Sequence, residues 1–193
     1  DKTCANDDCM AAKQVPVALL GVGGVGRALV DALVGARTHH RDVYGLRFDV
    51  KVLADSSGFL AGDLDDAQLQ GAAEAKSKGQ KLPGATKGDV DQAVASLGAG
   101  ALVVDVTASG TTTPLLIEAL KRGQKVVSAN KKPFSSEQAA YDALVGHPVR
   151  HNNVRHESTV GAGLPAIAAL NRLSMSNDKV RKIAGTFSGT LGF

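Results

Sequence analysis

Gly21-Val22-Gly23-Gly24-Val25-Gly26 sits between an apolar run at residues 15–20 and an amphipathic stretch at residues 27–35, and its reading decides the fold. The apolar run is short and unbroken, the pattern of a buried strand. Residues 27–35 place apolar side chains at helical spacing and end on Gly35, a common helix stop. A G-x-G-x-x-G turn at a strand-to-helix junction gives each glycine a task. The first permits the tight turn, the second lets the backbone approach a pyrophosphate, and the third lets the helix pack close to the strand. The helix start then offers N–H groups and a positive dipole end to phosphate. The competing reading is a glycine-rich turn with no ligand, and the strands and helices that follow weigh against it.

Working outward, residues 48–54 read as a second strand ending at Asp55. Residues 56–88 are polar and glycine-rich, with one helix expected over 65–78. A short helix is expected at 90–97, a strand at 101–106, a helix at 114–121, a strand at 125–128, and a helix at 135–144 with Ser135 or Ser136 as its N-cap. This alternation predicts an α/β fold: a doubly wound parallel sheet with helices on both faces, spanning residues 15–150 after a disordered tail at 1–14. Past residue 150 the pattern changes. A helix at 164–173 and an alternating strand at 180–187 read as the opening of a second, α+β domain over 151–193. About 40 residues hold a core of their own with difficulty, so the chain reads as a fragment of a longer protein.

Composition narrows the function. The chain has 193 residues, 44% hydrophobic and 21% charged, as soluble globular proteins do. A net charge of +3 with scattered basic residues does not suggest a nucleic-acid partner. No apolar run reaches membrane-spanning length. Cys4 and Cys9 both lie in the tail and lack zinc-site spacing. No cysteine occurs from residue 10 onward, so this part of the chain cannot supply the thiol that thioester-forming aldehyde oxidation needs. His39, His40, His147, His151 and His156 show no metal-ligand spacing on one helix face.

The candidate site residues cluster at strand ends. Asp55 closes the second strand where a ribose-binding acid would sit, and such an acid favours NAD. Ser56 and Ser57 could instead partner a 2′-phosphate with Lys51 or Arg27 nearby, which leaves NAD and NADP both open; an ordinary turn acid is the plain alternative. Thr107 and Ala108 follow the 101–106 strand, and Ser128-Ala129-Asn130-Lys131 ends the next strand on the same edge. That edge faces the ligand crevice in a sheet of this kind, and a lysine there can reach both substrate and nicotinamide. Lys132 reads as a solvated neighbour. Glu157 lies ahead of Val160, Ala162 and Leu164 in a segment whose bent backbone could turn carbonyls and a carboxylate onto one hard cation. Alternatively, Glu157 and Thr159 cap the following helix.

Three blocks carry a family resemblance: Ser128-Ala-Asn-Lys-Lys-Pro133, His156-Glu-Ser-Thr-Val-Gly-Ala-Gly-Leu-Pro165 and Ser188-Gly-Thr-Leu-Gly-Phe193. In this order and spacing they resemble homoserine dehydrogenase, most nearly the single-function plant or algal type. The resemblance runs from about residue 15 to the C-terminus. It implies a Rossmann-type NAD(P)-binding domain followed by a substrate and dimerisation domain. It further implies reversible interconversion of L-homoserine and L-aspartate 4-semialdehyde with NADP or NAD, in threonine and methionine biosynthesis. The cofactor contacts so implied are Gly21, Gly23, Gly24, Val25, Gly26, Asp55, Thr107, Ala108, Ser128, Asn130 and Lys131, with Lys131 as the reaction-centre residue. A sodium ion is implied on the Glu157 side chain and the carbonyls of Val160, Ala162 and Leu164. So are a homodimer and a cytoplasmic or plastid location. The proton-handling aspartate and lysine of the family lie beyond the Ser188 block, so this fragment is expected to be inactive alone. Many relatives carry a basic residue just past the second strand, where this chain has Ser57 and Gly58. Two rival readings are a Rossmann oxidoreductase acting through a thiol, which the missing cysteine disfavours, and a nucleotide-binding protein without catalysis.

Overall fold

The computed structural model describes residues 12–146 and 153–185. The elements run β1 (Lys13–Leu20), α1 (Gly24–Gly35), α2 (Arg37–Tyr44), β2 (Leu46–Asp55), β3 (Gly58–Ala61), α3 (Asp66–Ser77), α4 (Val90–Ala95), β4 (Leu102–Asp105), α5 (Thr113–Lys121), β5 (Lys125–Ser128), α6 (Lys132–Ser135), α7 (Gln138–Leu144), β6 (Val154–Arg155) and α8 (Ala166–Met175). They form one six-stranded sheet of order β3-β2-β1-β4-β5-β6. All pairings are parallel except β2 with β3.

The two faces of β1 show why the sheet is covered on both sides. Successive side chains of a strand point to opposite faces. Val17 and Leu19 join one buried cluster with Val30, Val50, Leu53 and Leu69, which α1 and α3 cover. Ala18 and Leu20 join the other, with Val52, Val103, Leu116, Val126 and Leu144, under α4, α5 and α7. An unbroken apolar run is the pattern such a doubly buried strand demands. The chain leaves β1 toward β2 on one side and reaches β4 on the other. The crevice at that reversal, outside the carboxyl ends of β1 and β4, is where ligands bind in open α/β sheets.

The Rossmann-type fold stands, with local corrections. The expected all-parallel sheet has one antiparallel strand, β3, which returns from β2 through Ser56 and Ser57. Gly58 is required there: φ is +144°, and a Cβ would collide with the Thr86 carbonyl. The helix expected at 135–144 is two helices. Pro133 sits in the first turn of α6, and Ser135 donates to the Lys131 carbonyl at 3.0 Å instead of capping. The N-cap of α7 is Glu137, with no side-chain bond. α2 was not expected, because none of its residues is buried. Residues 180–185 form no strand; a strand needs a paired neighbour to satisfy its backbone, and none lies beside them among the described residues. Phe187, the Ser188 block, Cys4, Cys9, His147, His151 and most of the 1–14 tail lie outside the described residues. Among those described, no helix is long and apolar enough to cross a membrane.

Candidate active site

The glycine turn has the three-part geometry its sequence implies. Gly21 has φ +103°, and a Cβ on it would come within 3.0 Å of the Val106 carbonyl carbon and 3.1 Å of Thr107. A Cβ on Gly26 would overlap the Gly21 carbonyl oxygen. Both positions are therefore closed by the protein itself. Gly23 differs: a Cβ there meets nothing within 4 Å. Gly23 is also the N-cap of α1, with no side chain capping the helix and no acid in its first turn. The helix N-terminus thus faces open space, with backbone N–H groups and the dipole's positive end available to an anion. Gly24 is likewise unobstructed, and Val25 is exposed.

Asp55 ends β2 with its side chain only 7% exposed. Its Oδ1 accepts the Ser57 amide at 2.7 Å and the Ser57 hydroxyl at 2.6 Å, and its Oδ2 lies 2.7 Å from the Lys76 ammonium at the end of α3. Burial raises the carboxyl's pKa. The Lys76 ammonium and the two Ser57 donors outweigh that, and hold it below the usual carboxylate range.

On the other side of β1, the ends of β4 and β5 converge on one buried group that sequence reading passed over. Asp105 is fully buried. Its Oδ1 accepts the Thr107 amide at 2.9 Å and hydroxyl at 2.7 Å, and its Oδ2 accepts the Thr112 hydroxyl at 2.7 Å and the Asn130 amide at 3.0 Å. Asn130 Nδ2 also reaches the Ser109 carbonyl at 2.6 Å, while Asn130 Oδ1 accepts the Lys132 amide at 3.1 Å. Ser128 is buried, and its hydroxyl accepts the Asn130 amide at 3.0 Å. Thr107 touches the space beside Gly21, so the glycine turn, Thr107, Ser128 and Asn130 share one edge. Lys131 is exposed at the start of α6, and among the described residues its ammonium has no bonded partner. The signal for Asp105 was present in sequence: Asp105-Val-Thr repeats the Asp55-Ser-Ser pattern of an acid followed two residues later by a hydroxyl. Lys76 gave no such signal.

Glu157 is placed apart, after β6. Its two carboxylate oxygens accept the Ile167 and Ala168 amides, each at 2.9 Å, and so cap α8. The Val160 amide bonds the Glu157 carbonyl at 3.3 Å, and the Leu164 carbonyl accepts the Ala166 amide at 2.9 Å. Ala162 is held at φ +54°, an uncommon conformation for a residue with a Cβ. His156 stacks on Phe134 of α6, with ring centroids 4.6 Å apart and planes 12° from parallel. Burial lowers the His156 pKa, and Glu157 opposes that only in part.

Comparison with known proteins resolves the family. Residues 21–155 match the family model for the homoserine dehydrogenase NAD-binding domain. The chain belongs to the homoserine dehydrogenase family. It is 31% identical over 191 residues to homoserine dehydrogenase of Saccharomyces cerevisiae, covering 95% of this chain and 50% of that one. It is 31% identical over 176 residues to that of Emericella nidulans, covering 91% and 47%. A solved hyperthermophilic archaeal homoserine dehydrogenase in complex with NADPH superposes with a TM-score of 0.65 at 26% identity, covering 82% of this chain and 48% of that one. The chain spans about half the length of the relatives it matches.

Proposed function

We propose that this chain is the cofactor-binding half of a NAD(P)-dependent homoserine dehydrogenase, which interconverts L-homoserine and L-aspartate 4-semialdehyde. The observation that carries the reading is the contrast among the three glycines. Gly21 and Gly26 are closed by protein, while Gly23 opens on space at an uncapped helix start. A bare turn has no need of a glycine at 23, whereas a pyrophosphate approaching the backbone does.

A nicotinamide cofactor supplies or accepts the hydride. The chain's own residues do the rest. The amides at the start of α1 hold the pyrophosphate, with Gly24 and Val25 beside it. Thr107 and Ala108 wall the nicotinamide half. Lys131 brings an unpaired positive charge to the edge where the substrate oxygen gains negative charge. Ser128 and Asn130 set the backbone from which Lys131 projects. The proton donor and the acid that grips the substrate belong to the second domain, which opens after β6 rather than at residue 151, since that strand still pairs with β5 in the first domain's sheet. The same reading includes a sodium site on Glu157, Val160, Ala162 and Leu164, since each Glu157 oxygen keeps a lone pair after its amide bond. It also includes a homodimer.

The test is Gly23→Val in the full-length protein. Reduced-cofactor fluorescence titration is expected to lose saturable binding, while the thermal midpoint stays within about 3 °C. Unchanged affinity would remove the pyrophosphate from this turn.

A further inference from the structure

A carboxylate with no exposure is costly unless every lone pair is answered. Asp105 meets that demand with four neutral donors, and no ion pair reaches it among the described residues. The core gives no reason for an acid here, since Val103 and Val104 already bury the strand. What the acid does is connect. Thr107 lies in the turn after β4, Thr112 in the 3-10 turn that enters α5, and Asn130 after β5. The β4–α5 connection and the end of β5 thus meet on one carboxylate. Asn130 extends the tie in both directions, to the Ser109 carbonyl and to the Lys132 amide. Lys131 is therefore bracketed: the residue before it is held by its side chain and the residue after it by its backbone.

We propose that Asp105 and Asn130 are positioning residues that fix the Thr107–Ala108 wall and the Lys131 backbone as one unit. The proposal rests on the dehydrogenase reading. Neither residue needs to touch substrate. The unit keeps the lysine and the nicotinamide-side wall at a set separation, as a reacting geometry requires. The pyrophosphate cradle at Gly23 lies outside the network, so loosening the clamp disturbs one half of the cofactor site and spares the other.

The test uses the full-length protein and three variants. Asp105→Asn puts an amide N–H₂ where an acceptor is needed. Thr112→Val deletes one donor at nearly constant shape, and Thr112→Ser keeps it. Kinetics, titrations with reduced dinucleotide and with adenosine mono- or 2′,5′-diphosphate, and amide exchange of the cofactor-free protein are measured together. For Asp105→Asn, kcat is expected to fall at least tenfold and dinucleotide affinity severalfold, with affinity for the adenosine fragment within twofold. Thr112→Val should show the same split at three- to tenfold, and Thr112→Ser should match the parent. The Thr107 and Lys132 amides should exchange faster together in the first two variants. Should Asp105→Asn not fold, the Thr112 pair decides alone. Fragment and dinucleotide affinity falling in parallel would overturn the proposal, and so would exchange rising at Thr107 with none at Lys132, or kcat unchanged in Thr112→Val. A parent protein that binds dinucleotide but does not oxidise homoserine would defeat the dehydrogenase reading instead, while the exchange and fragment measurements would still judge the clamp.

Discussion

Asp55 and Asp105 flank β1 on its two sides, one ending β2 and the other ending β4. Their near surroundings are the same. Each Oδ1 accepts both the amide and the hydroxyl of the residue two positions on, Ser57 or Thr107, within 2.6–2.9 Å. This is the local side-chain-to-backbone turn that aspartate favours after a strand. The difference lies in the second oxygen. Asp55 meets an ammonium from α3, whereas Asp105 meets a threonine hydroxyl and an asparagine amide. One local motif thus serves two ends. With a cation it makes a mostly buried ion pair at the end of β2. With neutral donors it makes a buried tie among the segments that follow β4 and β5.

The comparison breaks most visibly in stability. Asp105→Ala removes the shared acceptor of four donors, leaving the Thr107 amide and hydroxyl without one while Asn130 and Thr112 keep the Ser109 carbonyl, and is expected to cost about 3–5 kcal/mol. Asp55→Ala leaves Ser57 and a Lys76 that is 22% exposed and can rehydrate, for about 1–2 kcal/mol. Urea midpoints at constant m-value measure both. Equal costs would mean that the second oxygen does not distinguish the two sites.

Next in size is cofactor choice, which sharpens the Asp55 side. Removing the acid should raise the NADP-to-NAD ratio of kcat/KM about fivefold, the weight of one partly screened charge near a 2′-phosphate. Lys76→Met should move the ratio the other way by a similar factor, because it leaves the acid without its cation. The double variant should return near the parent. An unmoved ratio in all three would place the ribose away from Asp55. Asp105 variants should leave this ratio alone.

How far these sites could be read from sequence follows from the range of the contacts. The glycine turn, the strand ends and most helices are local patterns, and the chain states them directly. Periodicity placed β5 at 125–128, where it lies, and α3 within a residue at each end. β3 and α2 escaped because neither carries a periodic run of buried side chains: β3 is four residues long and glycine-led, with only Phe59 and Leu60 reaching the core, and the apolar residues of α2, Val43 and Tyr44, are exposed. Among site residues, Asp55 was legible as a strand-end acid. Its engagement by Lys76, 21 positions later, was not, because no periodicity links a helix end to a strand end. Asp105 carried the same local acid-and-hydroxyl signal as Asp55, but its tie to Asn130, across a helix and a strand, was not legible. Glu157 was open between helix cap and cation ligand, and its two bonds to α8 realise the capping geometry.

The smallest expected effect separates the local half of the Asp55 motif from its distant half. Asp55→Asn keeps an oxygen for the Ser57 donors and loses the charge that faces Lys76. At neutral pH the variant should be less stable by about 1 kcal/mol, as for a partly buried ion pair. The sign with pH follows from the lowered carboxyl. Its folded pKa lies below the unfolded value of 3.8, so its contribution is whole above 3.8 and is lost as the pH falls through the folded value. The gap between parent and variant should therefore hold from pH 7 to about 5 and narrow as the pH falls below 3.8. His156 adds a slope of its own. Its folded pKa is lowered from 6.5, so the unfolded chain binds its proton first, and stability declines as the pH drops below that value. That slope is common to parent and variant and cancels in the difference. Paired urea titrations across the acid range read the gap directly. A gap that stayed constant down to pH 2 would show that the loss comes from packing, and that Lys76 contributes nothing through the charge of Asp55.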